Sequence, residues 1–241
     1  MLVNTTAFVL RNVKYGDTSL ISTLYTKAFG LQSYLVRGAR ANKKSGIHAS
    51  YFQLGQLLEI TAYHKPSKSL QTLKEVALSK MHPIQERTIH QQSVAQYCTE
   101  LILRCVKEEE ESESLFEFIE HAFVNMYSAN ERQLANFPIY FTLLFAEQIG
   151  FAITDNFSPE RLFFDAAEGQ FTKERNASIY TLDEGPTMQL AQFLNKEQRE
   201  IKSSGQLRKN VLDALLLFLK LHVEQMQDIK SLAILHELLN D

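Results

Sequence analysis

The period of the hydrophobic pattern changes near residue 83. Up to that point apolar and polar residues alternate in short runs. This is the two-residue repeat of strands, whose successive side chains face opposite ways. Thr6, Phe8 and Leu10 alternate with Ala7, Val9 and Arg11, and Tyr15-Gly16-Asp17 marks a turn. A second run covers Thr18 to Thr26 and ends before Gly30; a third covers Leu31 to Val36. A polar, cationic stretch from Arg37 to Ser50 follows. Phe52 to Tyr63 makes a fourth run and Ser69 to Leu78 a fifth, with His64-Lys65-Pro66-Ser67-Lys68 as the turn between them. Five short strands separated by Gly/Pro turns predict a small closed barrel. An OB-fold has five strands and binds oligonucleotides through one face and its flanking loops. An SH3-like barrel would show a similar pattern.

After Pro83 the period becomes 3.6. Val94, Tyr97, Cys98, Leu101, Ile102 and Cys105 line one helical stripe, and the acidic run Glu108 to Glu111 follows as a solvated end. Ser114 with Glu117 reads as a capping box for a helix with the stripe Phe116, Ile119, Phe123 and Met126. Leu134, Phe137, Phe141, Leu144, Phe145 and Ile149 continue toward a stop at Gly150, and Pro138 predicts a kink or a first-turn position. Residues 151–186 break the rhythm, with Leu162-Phe163-Phe164 and Gln170-Phe171-Thr172 flanking Glu168-Gly169 as a small hairpin. Helices return from Thr187 to Leu194, from Leu207 to Met226, and over Leu232, Leu235 and Leu239. The predicted class is α+β. An N-terminal five-stranded OB-fold barrel over 1–80 precedes a mainly α-helical domain over 81–241, with an irregular hairpin insertion at 151–186.

Charge sharpens this division. Residues 1–80 hold eleven Lys/Arg against three acids, Asp17, Glu59 and Glu75; residues 81–241 hold fourteen against twenty-five. The whole-chain value of −3 conceals a basic front and an acidic remainder. A basic barrel points to a polyanion, most simply nucleic acid. The cations gather where strands meet loops: Lys14 at the first turn, Arg37, Arg40, Lys43 and Lys44 in the long connection, Lys65 and Lys68 in the last turn. Tyr15, Tyr34, Tyr51, Phe52 and Tyr63 are interleaved with them. Cations with stacking platforms hold single strands without reading sequence. Taken singly, Tyr34 and Phe52 sit inside strand patterns and read as core.

No catalytic constellation stands against this. Gly38 to Ser45 imitates a phosphate-binding loop, but Lys43 replaces its second glycine and no long apolar helix follows. The seven histidines are scattered, and no metal-ligand spacing appears. Cys98 and Cys105 lie seven apart on one helix, about 10 Å along its axis, too far for a mutual disulfide. They read as reduced thiols. The start MLVNTTAFVLRN shows no secretory pattern, and the expectation is a cytoplasmic binder, with no enzyme activity, cofactor or metal.

The string Ala7-Phe8-Val9-Leu10-Arg11, then Tyr15-Gly16-Asp17-Thr18-Ser19, Leu24-Tyr25-Thr26, Gly30 and Val36-Arg37-Gly38-Ala39-Arg40 resembles the RecO recombination-mediator family. Phe52-Gln53-Leu54 and Leu73-Lys74-Glu75 continue it, and Ile229-Lys230-Ser231-Leu232 with Leu235 is similar to the family's closing helix. The resemblance implies an OB-fold followed by a helical domain. It implies binding of single- and double-stranded DNA, annealing of complementary strands, and, with RecR, help for RecA in replacing the single-stranded DNA-binding protein (SSB). Many members carry a four-cysteine zinc module; Phe151 to Leu182 has no cysteine, so zinc is not carried over, and Phe163, Phe164 and Phe171 are expected to hold that loop by apolar packing. SSB's acidic tail, a partner by resemblance, needs cations beside an apolar pocket. Arg104, Arg132, Arg199, Lys202, Arg208 and Lys209 are the helical-domain candidates, each singly better read as an ordinary exposed charge. An RNA-binding OB-fold protein and a purely protein-binding adaptor are the alternatives.

Overall fold

A computed structural model of the chain describes residues 1–41, 46–79, 86–106, 111–175, 180–195 and 201–239. These form two compact units, Met1–Thr88 with Val106–Val124, and Ile89–Cys105 with Asn125–Asp241.

The first unit is a closed barrel of β1 (Leu2–Tyr15), β2 (Ser19–Thr26), β3 (Gly30–Val36), β4 (Leu57–Tyr63) and β5 (Leu70–Leu78). Its strand order is β1-β2-β3-β5-β4, and the long β1 closes it by pairing with both β2 and β4. All pairs are antiparallel except β3–β5. This is the five-stranded Greek-key barrel of the OB type. Alternation fills the interior with Ala7, Val9, Leu20, Leu24, Tyr34, Val36, Leu58, Ile60, Ala62 and Leu73. The expected fourth strand is shorter than its apolar run: Ala49–Tyr51 form a 3-10 turn closed by Phe52, and Gly55 adopts φ +71°, so pairing starts only at Leu57.

Most of α2 (Glu113–Ser128) also belongs to this unit. Its Phe116 and Phe123 pack on Phe8 of β1, with ring centroids 5.3 and 5.7 Å apart, and Phe116 also meets Tyr25 of β2. The helix starts earlier than the predicted capping box. Ser112 is the cap, its hydroxyl accepting from the Leu115 amide at 3.2 Å, while Ser114 lies inside the first turn.

The second unit contains α1 (Ile89–Cys105), α3 (Glu131–Gln148), α4 (Glu184–Leu194), α5 (Gly205–His222) and α6 (Leu232–Leu239). The predicted stripe of α1 is buried through Val94, Tyr97, Cys98, Leu101 and Ile102. Asn130 and Gln133 form a capping box that opens α3, and Pro138 lies well inside that helix rather than in its first turn. The 151–186 segment holds the expected hairpin, β6 (Phe163–Asp165) with β7 (Gln170–Thr172), and a further short strand, β8 (Thr181–Leu182), on the other side of β6. Phe164 and Phe171 are buried with ring centroids 5.6 Å apart. Gly169, at φ +62°, brings the hairpin against Phe218 of α5, where a Cβ would come within 2.7 Å of the ring. Among the described residues no helix is long and apolar enough to cross a membrane, and no three His, Cys, Asp or Glu side chains gather to hold a metal ion.

Candidate nucleic-acid interface

The predicted barrel cations occupy two ends of the barrel. At one end, Lys14 pairs with Leu20, which pairs with Val36, so Lys14 and Arg37 lie at the same end of the barrel. The chain after β3 is tied to the β1–β2 turn. The Arg40 amide donates to the Thr18 carbonyl at 2.8 Å, an Arg40 guanidinium N–H to the Gly16 carbonyl at 3.4 Å, and the Gly38 amide to the Ser19 hydroxyl at 3.4 Å. Lys14, Arg37 and Arg40 are all exposed there. Lys43 and Lys44 lie outside the described residues.

Lys65 and Lys68 sit at the other end. Leu2 pairs with Tyr63, and the turn after Tyr63 lies beside the β2–β3 turn, where the His64 ring stacks on Phe29 at 4.0 Å. Buried Gln71 holds this turn. Its carbonyl accepts from the Lys65 amide at 2.9 Å, and its amide donates to the Lys65 and Lys68 carbonyls at 2.9 and 2.6 Å. Lys27, nearby, is engaged by Glu113 at 2.9 Å.

A bulge in β1 adds a residue that the sequence reading did not single out. The register shifts between Val9 and Arg11, so Arg11 pairs with Thr23, Val13 with Ile21 and Tyr15 with Ser19. Because the side-chain period is two, one extra residue moves Arg11, Val13 and Tyr15 from the inner to the outer face. Arg11 is exposed, and Tyr15 is 52 % exposed. The sequence signal was present as an Arg inside a strand run, an unfavourable residue for a barrel interior. Of the five aromatics, Tyr34 and Phe52 are core, Tyr51 is half-buried, and Tyr15 and Tyr63 are exposed, one at each end. Burial pushes the Tyr34 hydroxyl up to about 12.

Among the described residues, Arg11, Lys14, Arg37, Arg40, Lys65 and Lys68 make no ion pair. Their charge is available to an external anion.

In the second unit the six candidates disperse. Arg104 is bound to Glu100 at 3.3 Å and to Gln227 at 2.5 Å; Arg132 and Lys202 are exposed; Arg199 lies outside the described residues. Arg208 and Lys209 alone meet at a shallow cleft of about 20 Å³ between α3, α5 and α6, walled by Pro138, Ile139, Leu212 and Leu235 and flanked by His236. Arg208 donates to the Ser203 carbonyl at 2.6 Å and to the Leu239 carbonyl, while its Nε–H is buried without a partner among the described residues. Partial burial lowers the guanidinium pKa.

Comparison with known proteins converges on one family. Residues 1–82 match the model of the Recombination protein O N terminal domain, and residues 86–157 that of the C terminal domain. The chain is 31 % identical over 241 residues to the DNA repair protein RecO of Flavobacterium psychrophilum, covering 98 % of this chain and 99 % of that one. It is 28 % identical over 247 residues to that of Christiangramia forsetii and 28 % over 245 residues to that of Phocaeicola vulgatus, with 99 % of each chain covered.

Proposed function

This chain belongs to the RecO family, and from that premise we propose that it is a non-enzymatic recombination mediator in DNA repair, acting in the cytoplasm on chromosomal DNA. It binds single- and double-stranded DNA and anneals complementary strands. With RecR, it helps RecA take over strands coated by SSB. The observation that supports this best is the cation group Lys14, Arg37 and Arg40, held at one barrel end by the Arg40–Thr18 and Arg40–Gly16 bonds and without carboxylate partners among the described residues. Annealing follows from electrostatics. Two strands repel through their phosphates, a cationic surface lowers that cost, and base pairing completes the reaction without a covalent step. A strand-annealing assay tests it, comparing wild type with an Arg37/Arg40/Lys43/Lys44 charge-reversal variant. The variant should lose annealing, and wild-type affinity should fall steeply with salt; a flat salt response overturns the reading.

A specific observation favours a second contact. The α3–α5–α6 cleft combines apolar walls with Arg208, Lys209 and His236 at its rim, as an acidic peptide with apolar residues requires. We assign it to the acidic tail of SSB. Titration with that tail peptide should show binding that Lys209→Glu weakens at least fivefold; equal binding by the variant refutes the assignment.

A further inference from the structure

We infer that the barrel carries two separate nucleic-acid sites, one at each end, so that a single chain holds two strands at once. The inference rests on the DNA-binding reading above and goes beyond it by dividing the interface. Three observations carry it.

First, the face between the ends is bare of the groups that hold a strand. β2 (SLISTLYT) and β3 (GLQSYLV) contain no charged residue, and their only aromatics, Tyr25 and Tyr34, are fully buried. A strand crossing there meets Ile21, Thr23, Ser33 and Leu35, with Thr23 and Ser33 hydroxyls 3.4 Å apart as the polar element. Arg11 of β1, paired with Thr23, borders this face as a single cation, and β2 and β3 themselves offer neither a phosphate partner nor a stacking ring.

Second, each end is complete in kind. One has Lys14, Arg37 and Arg40 with exposed Tyr15; the other has Lys65 and Lys68 with Tyr63, 49 % exposed. Leu70 pairs with Ser33, four residues before Arg37, so the start of β5 beside the Lys68 turn lies roughly 13 Å from Arg37 along the strand direction at 3.3 Å per residue. That exceeds the roughly 8 Å over which solution screens charge at physiological salt. The two groups therefore act as distinct sites.

Third, the smaller end is preorganised. Gln71 fixes the Lys65–Lys68 turn through three hydrogen bonds, the Phe29–His64 stack backs it, and Glu113 removes Lys27 from competition. A turn kept only for solubility has no need of a buried glutamine dedicated to its shape.

The test uses the full chain with 12-residue oligothymidines, which cannot pair, one donor-labelled and one acceptor-labelled, plus a complementary pair for annealing. Lys65→Glu/Lys68→Glu should bind one labelled strand within threefold of wild type. It should abolish energy transfer between two strands and slow annealing at least tenfold. Arg37→Glu/Arg40→Glu should weaken first-strand binding more than tenfold. The salt slope for one strand should be near −2, as for roughly three contacts at −0.7 each, rather than near −4, as for about six contacts on one continuous track. Equal loss of single-strand affinity in both variants means one continuous track and overturns the proposal, as does intact energy transfer in the lysine variant. Lys65→Gln/Lys68→Gln, a milder change, guards against misfolding and should show the same pattern. Absence of any binding by wild type would instead defeat the DNA-binding reading itself, and this proposal with it.

Discussion

Ser231 gives both its amide, at 2.9 Å, and its hydroxyl, at 2.8 Å, to the carboxylate of Glu100. The same carboxylate accepts from the Lys230 amide at 3.0 Å and from Arg104 at 3.3 Å. One α1 side chain thereby accepts from two amides just before α6, and the Ser231 hydroxyl adds a bond that depends on that residue's identity.

Burial alone would push the Glu100 pKa up; the amides of Lys230 and Ser231, the Ser231 hydroxyl and Arg104 outweigh it and hold it below the ordinary value. A carboxyl depressed on folding binds fewer protons folded than unfolded, so its contribution is complete above the unfolded value, about 4.3, and disappears as pH falls below it. Glu100→Gln should cost about 1–3 kcal/mol at pH 7, and the difference from wild type should shrink on acidification. Urea unfolding at pH 7 and pH 3.5 measures both; an equal gap at the two pH values contradicts the assignment.

Gly55 stands at φ +71° with Phe123 of α2 against its α-carbon, so a Cβ would collide with the ring. Gly55→Ala should destabilise the first unit by about 1–3 kcal/mol. A thermal midpoint unchanged from wild type would show that neither the φ angle nor the contact is constraining.

The Tyr34 hydroxyl is buried inside the barrel without a partner among the described residues. Removing an unsatisfied polar group while keeping the ring should stabilise, so Tyr34→Phe is expected to raise the unfolding free energy by about 1 kcal/mol. Chemical denaturation reads this directly, and a loss of stability would indicate a hydrogen bond at that hydroxyl.

Gln71→Leu preserves volume but removes the bonds to Lys65 and Lys68. Hydrogen exchange at the Lys65 amide should accelerate at least tenfold, with exchange at the β1–β2 pairing unaffected. Equal protection in the variant would mean that the strands, not Gln71, shape the turn.

Local pattern made the architecture legible. The change of period near residue 83 separated barrel from helices, the stripe through Val94 and Ile102 placed α1, and Phe164 and Phe171 marked the hairpin. Elements were misjudged where a single residue overrode the pattern. Gly55 cut the fourth strand short with a positive φ, and Ser112 displaced Ser114 as a cap because the helix begins two residues earlier.

The order of charges along the chain was sufficient to nominate Lys14, Arg37, Arg40, Lys65 and Lys68, since cations in loops are visible without a fold. It could not say which of them meet. Two loops distant in sequence become neighbours or opposites only through strand pairing, and the β1–β4 and β3–β5 registers sent Lys65 and Lys68 to the far end. Nor could it reveal Arg11, whose outward direction depends on one bulged residue in a strand of period two. Composition and periodicity are local properties that the chain carries in any conformation. The grouping of charges into sites is set by hydrogen-bond register across the barrel, and that exists only once the strands have paired.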